Sequence, residues 1–207
     1  MIFSPLSPEA IPTLIREEEE RYPDQIRHAV DLVIEKDVRF LFLAGPSCSG
    51  KSTTALEFEK ALALRGKRLF TCSTDDFFFN KDRAPMRADG TPDYDAFSHT
   101  DSKSIIAAFQ KMSRGEVTEI PEFDFLTGNR KESTRKVDPK NYDLFLLEGI
   151  HALNRVITEA MPEKHLRFYL DVTEGVQNKA GGGTFSPERL RFCRRLIRDF
   201  KHRGASA

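Results

Sequence analysis

The sequence predicts an α/β protein built on a parallel sheet, and three observations carry the prediction. Short apolar runs recur at residues 38–43, 67–75, 142–149 and 166–172, each the length of a strand. Stretches with helical spacing or helix punctuation lie between them. The first run leads directly into a small-residue loop, "AGPSCSGKST" at 44–53, and the loop into a helical stretch. Strands alternating with helices, each strand dominated by apolar residues, call for a sheet covered on both faces.

Residues 11–36 read as a helix with a break near Pro23. Ile26, Ala29, Val30, Val33 and Ile34 share one face of it, and Glu17 to Glu20 form a solvated surface. The run 38–43 is the first strand, bounded by Gly45. A helix follows over 52–64, with Gly66 as its cap. "KRLFTCST" is the second strand and ends at Asp75. Residues 81–101, with Pro, Gly and Asp, form a long loop of the kind that often carries function. A helix over 102–114 stops at Gly115. "YDLFLLEG" is the third strand and "LRFYLDV" the fourth. The Gly-Gly-Gly run within 175–184 would serve as a hinge before a final helix over 187–203, which has Pro187 in its first turn. No internal repeat is found, and the chain is expected to form one domain, 1–207, with an N-terminal helical segment over 1–36.

With 32 basic and 32 acidic residues the formal net charge is zero, so nothing favours general binding of nucleic acid or an anionic membrane. No apolar run approaches the length of a membrane span, and "MIFSPLSPEA" lacks the pattern of a secretion signal. Cys48, Cys72 and Cys193 form neither a zinc-type pair nor a disulfide pattern, which suits a reducing cytoplasm. Anion recognition must therefore be local.

The local site is the loop itself. Gly45, Pro46, Ser47, Cys48, Ser49, Gly50, Lys51 and Ser52 match G-x-x-x-x-G-K-[ST] without a mismatch, and Thr53 follows. The glycines allow backbone angles and close approach that a side chain would forbid. The loop amides can then converge on a phosphate, backed by the positive end of the helix behind them. Lys51 would reach the outer phosphates and the Ser52 hydroxyl would bind magnesium. The alternative, a Gly/Ser turn joining strand to helix, does not explain the match in its strand-loop-helix context.

Three further features surround this loop in the expected fold. "STDDFFF" ends the second strand, placing Asp75 and Asp76 where parallel sheets bind ligands. A carboxylate there can accept the proton of an attacking hydroxyl, although the pair could instead cap the next turn. "LLEG" puts Glu148 at the end of a neighbouring strand, the Walker B arrangement for holding magnesium. On the last helix Arg191, Arg194, Arg195 and Arg198 share one face, while Cys193, Leu196, Ile197 and Phe200 form the opposite, packing face. Guanidinium groups so placed suit charge developing on a transferring phosphoryl group.

Taken together, "GPSCSGKST", "STDDFF", "DGTPDYDAF", "IPEFDFLTGNRKE", "LLEGIHALN" and "RRLIRDFKHRGASA" resemble the uridine kinase and phosphoribulokinase family of P-loop kinases from about residue 38 onward. "FDFLTGNR" and "EGIHALN" are most similar to nucleoside-kinase-like domains that bacteria often fuse behind a threonyl-tRNA-synthetase-like region. The resemblance implies a P-loop NTPase fold with a parallel sheet of about five strands and an arginine-bearing lid helix. It implies ATP with Mg2+ as donor and a sugar hydroxyl as acceptor. By the same resemblance Asp75 is the catalytic aspartate, with Asp76 beside it at the substrate. Asp95, next to Tyr94 in "PDYDAF", meets the ribose diol. Phe123 packs near the base, Arg130 belongs to the acceptor pocket, and Arg194, Arg195 and Arg198 belong to the lid. Thr127, Gly128 and Asn129 stand where uridine kinases carry a histidine that reads the pyrimidine. The sequence ends at Ala207, where members of the family continue into a segment that helps hold the adenine.

The expected function is ATP-dependent phosphorylation of a ribose hydroxyl, foremost the 5′-hydroxyl of a nucleoside such as uridine. The alternatives are a kinase for another sugar or sugar phosphate and a non-catalytic ATP-binding regulatory module. The expected partners are a nucleotide and a small sugar or nucleoside acceptor, with no nucleic acid and no membrane; a homo-oligomer is compatible with the sequence.

Overall fold

The structure is a computed structural model of the 207-residue chain. It describes residues 2–3, 10–161, 164–172, 176–178 and 184–202, with side chains over 22–161, 164–172 and 186–201. Four parallel strands form the main sheet: β2 (Phe40–Ala44), β3 (Leu69–Ser73), β6 (Leu144–Glu148) and β7 (His165–Tyr169), in the order β3-β6-β2-β7. Among the described residues the sheet therefore has four strands, where the resemblance implied about five. The remaining strands stand apart from it. A hairpin joins β4 (Thr118–Asp124) to β5 (Asn129–Val137), and β1 (Ile2–Phe3), β8 (Val176–Asn178) and β9 (Thr184–Phe185) make a small side sheet. The glycine-rich hinge expected at 175–184 lies mostly outside the described residues.

Alternation along the central strands explains how both faces are covered. Phe40, Phe42, Phe145 and Leu147 point to one side and pack against α3 (Ser102–Ser113) through Ile105, Phe109 and Met112. The rings of Phe40 and Phe145 stack at 5.4 Å, and Phe109 tilts against Phe40 at 5.9 Å. Leu41, Leu43, Leu144 and Leu146 point to the other side. There they meet α1 (Ala10–Lys36) through Ile26, Val30 and Val33, and α2 (Lys51–Ala63) through Phe58 and Leu62. The Tyr22 hydroxyl lies 2.6 Å from that of Thr54 and ties the two helices together. No break is found at Pro23; it lies inside a continuous 27-residue α1. Ile34, placed on the packing face by spacing alone, is 38% exposed.

β7 is an edge strand and only half-covered, unlike the buried strand its apolar run suggested, and Tyr169 is exposed. α4 (Arg155–Thr158) is a single turn after β6, and α5 (Pro187–His202) closes the described chain. Its orientation reverses the expectation. Phe192, Leu196, Ile197 and Phe200 are all at least half exposed, while Arg191, Arg195 and Arg198 are partly buried. The charged face, not the apolar one, turns toward the body of the protein.

Candidate functional site

Strand register assembles the site. Glu148 at the end of β6 pairs with Leu43 on one side and Ser73 on the other. The loop after β2, the turn after β3 and the end of β6 therefore emerge level at the C-terminal edge of the sheet, where α/β folds bind ligands. A cavity of about 360 Å³ lies there, walled by Lys51, Ser52, Asp75, Glu148, Arg194 and Arg198. Ser47, Cys48, Gly50 and Thr53 also face it.

Two glycines make this convergence possible. A Cβ on Gly45 would sit 2.2 Å from the Leu170 carbonyl oxygen, so only glycine lets the phosphate loop pass under the end of β7. Gly149 has φ +151°, and a Cβ there would lie 1.8 Å from Thr74 Oγ1. The turn carrying Asp75 can thus press against the strand end carrying Glu148. Within the loop, Cys48 itself adopts φ 61°, and Gly50 enters α2 at φ 105°. Because Gly50 has no side chain to cap the helix, the first-turn amides of α2 remain available to an anion.

The charges are set against one another. The Lys51 ammonium donates to the carbonyls of Gly45 at 2.9 Å and Pro46 at 3.1 Å. Burial holds its pKa below the ordinary lysine value, and the nearby carboxylates of Glu148 and Asp75 oppose that shift. Glu148 is 8% exposed. Burial, then the charge of Asp75, pushes its carboxyl above the usual range; the Ser52 hydroxyl, donating at 3.0 Å, and Lys51 pull it back. Ser52 and Glu148 thus present two hard oxygen donors side by side, a set suited to magnesium and to few softer ions. Among the described residues no cluster of three or more His, Cys, Asp or Glu could hold a metal by itself.

Asp75 and Asp76 part ways. Asp76 folds back to accept from the Ser73 amide at 3.2 Å, completing a capping box, and lies 4.0 Å from Arg135. Asp75 faces the cavity with Lys51. The capping alternative describes Asp76, and the ligand-facing position belongs to Asp75.

A second cavity, of about 390 Å³, shares Phe78 and Asp95 with the first. Phe78, Tyr94, His99, Phe123 and Phe125 give it an aromatic lining. Phe78 stacks on His99 at 5.3 Å and meets Phe123 edge-on at 5.7 Å. Asp95 stands between the cavities, its carbonyl bonded to His151 Nε2 at 2.8 Å and its carboxylate to Arg195 Nη1 at 3.1 Å. Arg130 does not line either cavity. It donates to the carbonyls of Phe78 at 2.7 Å and Phe77 at 2.8 Å and to Asp101 at 3.2 Å, fastening the hairpin to the turn after β3.

Of the loop residues expected at the phosphates, Gly45, Pro46 and Ser49 do not line the first cavity, and Ser49 is buried. Phe78, His99 and Phe125 were not singled out as site residues by sequence reasoning. The run "DDFFF" next to Asp75 was the available signal for Phe78. From α5, Arg198 Nη1 donates to Ser47 Oγ at 3.2 Å, so the helix reaches the phosphate loop directly.

Known proteins resemble this chain in family and in fold. A model of the Phosphoribulokinase / Uridine kinase family matches residues 40–207. A uridine kinase from Bacillus pumilus is 30% identical over 165 residues, covering 79% of this chain and 69% of its own. One from Staphylococcus haemolyticus is 29% identical over 164 residues, covering 79% and 70%. Among solved structures, a possible uridine kinase from Bacillus stearothermophilus superposes with a TM-score of 0.62 at 16% identity, over 88% of this chain and 96% of that one, and so shares the fold. The phosphate loop, the level strand ends and the family match converge: the chain is a P-loop kinase, a phosphotransferase with a hydroxyl acceptor, and belongs to the phosphoribulokinase/uridine kinase family.

Proposed function

We propose that the protein transfers the γ-phosphoryl group of ATP, with magnesium, to a ribose hydroxyl, foremost the 5′-hydroxyl of a nucleoside. The observation that carries this reading is that Lys51 and Asp75 line one cavity, and that this cavity shares Asp95 with an aromatic-lined one. Loop amides and Lys51 bind the donor's phosphates. Ser52 and Glu148 hold the magnesium, which when bound neutralises charge on the phosphoryl group being transferred. Asp75 orients the acceptor hydroxyl and takes its proton. Arg194 and Arg198 of α5, which also line the cavity, meet the developing charge. Asp95 suits a diol, since a carboxylate accepts two hydroxyl donors. The ring-lined cavity suits the flat face of an aromatic base. The matched relatives are named uridine kinases, in line with that choice.

A panel of nucleosides, sugars and sugar phosphates tested for ADP release, with Lys51→Ala as the blank, checks the proposal. Turnover should appear with nucleosides and be absent with sugar phosphates; the reverse pattern overturns it. Asp75→Asn should still bind ATP by calorimetry while kcat falls on the order of a hundredfold or more. Retention of the wild-type kcat would remove Asp75 from the role of base.

A further inference from the structure

Asp199 follows Arg198 on α5 and occupies the centre of a chain of charged contacts. Its Oδ1 accepts from Arg198 Nη2 at 2.7 Å and from Arg198 Nε at 2.9 Å. Its Oδ2 lies 3.5 Å from Arg195 Nε. Arg198 is thereby gripped along its Nε edge, Arg195 is held within ion-pair distance at its Nε, and each extends its Nη1 in a different direction. Arg198 Nη1 reaches Ser47 Oγ in the phosphate loop at 3.2 Å. Arg195 Nη1 reaches Asp95 between the two cavities at 3.1 Å.

These contacts are poorly suited to stabilising the helix. Residues one apart on a helix do not face each other, so Arg198 must curl back to reach its neighbour. Arg195 precedes Asp199 by four residues, the weaker order for a pair along a helix. The side chains of Arg195, Arg198 and Asp199 are 43%, 30% and 22% exposed, where ion pairs add little stability. What the geometry supplies is direction. A planar guanidinium held on one edge presents its other edge at a fixed angle.

Resting on the kinase reading above, we propose that Asp199 is a positioning residue. One carboxylate aims Arg198 at the donor's phosphate loop and Arg195 at the acceptor's Asp95, so a single side chain sets the alignment of both halves of the site. Asp199 acts through the two arginines and takes no proton in the reaction.

The test uses Asp199→Asn and Asp199→Glu in the full chain, with whichever acceptor the panel identifies. The first readout needs no turnover. In 15N-edited NMR spectra the Nε–H signals of Arg195 and Arg198 should both shift and exchange faster in Asp199→Asn, with the melting temperature little changed. In kinetics, Asp199→Asn should lower kcat on the order of tenfold while the KM for ATP moves less than about twofold. Asp199→Glu should recover part of the loss. In an Arg198→Ala background, Asp199→Asn should cost markedly less than it does alone, because the partner it aims is gone. Unmoved Nε–H signals, or the same full kcat loss in both backgrounds, overturn the proposal. A wild-type protein that phosphorylates no acceptor would defeat the kinase reading instead, and leave the NMR result to decide the role of Asp199.

Discussion

Glu148 is held in the folded protein at an energetic cost. Burial and the neighbouring charge of Asp75 raise its pKa above the ordinary carboxylate value. A carboxyl raised on folding carries no penalty below its unfolded pKa of about 4.5, where it is protonated in both states. The penalty grows as pH climbs through the folded value and is complete above it. Glu148→Gln removes the charge but keeps an acceptor for Ser52. It should therefore raise the melting temperature of the nucleotide-free protein at pH 8, and the gain should vanish toward pH 4.5; a gain independent of pH would refute the burial argument. The same substitution removes a magnesium ligand, so stability should rise as turnover is lost, a common exchange at active sites. The residues of the phosphate loop were legible in the sequence because their chemistry resides in a fixed backbone pattern. Asp75 and Asp76 were harder to part. Both follow the same strand, and only the turn's folding back on Ser73 decides which carboxylate is spent as a cap.

Among the elements, the junction of β6 with the turn after β3 depends most on one atom's absence. Gly149→Ala would drive a methyl group into Thr74 and force a non-glycine residue to φ +151°. It should cost about 3 kcal/mol, read as a fall of several degrees in melting temperature, and should also separate Asp75 from Glu148 and depress kcat. Wild-type stability in that variant would show that the junction has room to relax. Four main-sheet strands were readable from their apolar runs, but the β4–β5 hairpin was not. Its second strand, "NRKESTRKV", is nearly all polar and exposed, and Pro121 with an adjacent register shift interrupts the first. A strand that leans on a neighbouring turn more than on the core leaves no periodic apolar trace. Its fastening by Arg130 to the carbonyls of Phe77 and Phe78 is a tertiary contact without a local signature.

For the molecule as a whole, the α/β class, the nucleotide edge and the family were all legible, because apolar runs and a phosphate motif are written locally. The direction in which α5 faces was not. An amphipathic helix announces two faces, and hydrophobicity alone assigns the apolar one inward. Here the pull of the Asp95 carboxylate on Arg195 and of the Ser47 hydroxyl on Arg198 outweighs it, leaving Leu196, Ile197 and Phe200 outward. Sheet and α5 are consequently secured by different forces, and salt distinguishes them. Counter-ions at high ionic strength weaken half-exposed attractions between charges while leaving apolar burial intact or stronger. Raising the salt should therefore speed tryptic cleavage at the α5 arginines and slow turnover, with global unfolding unmoved or shifted upward. The ionic composition of its surroundings thus acts as a throttle on the catalytic cleft, independent of whether the protein stays folded.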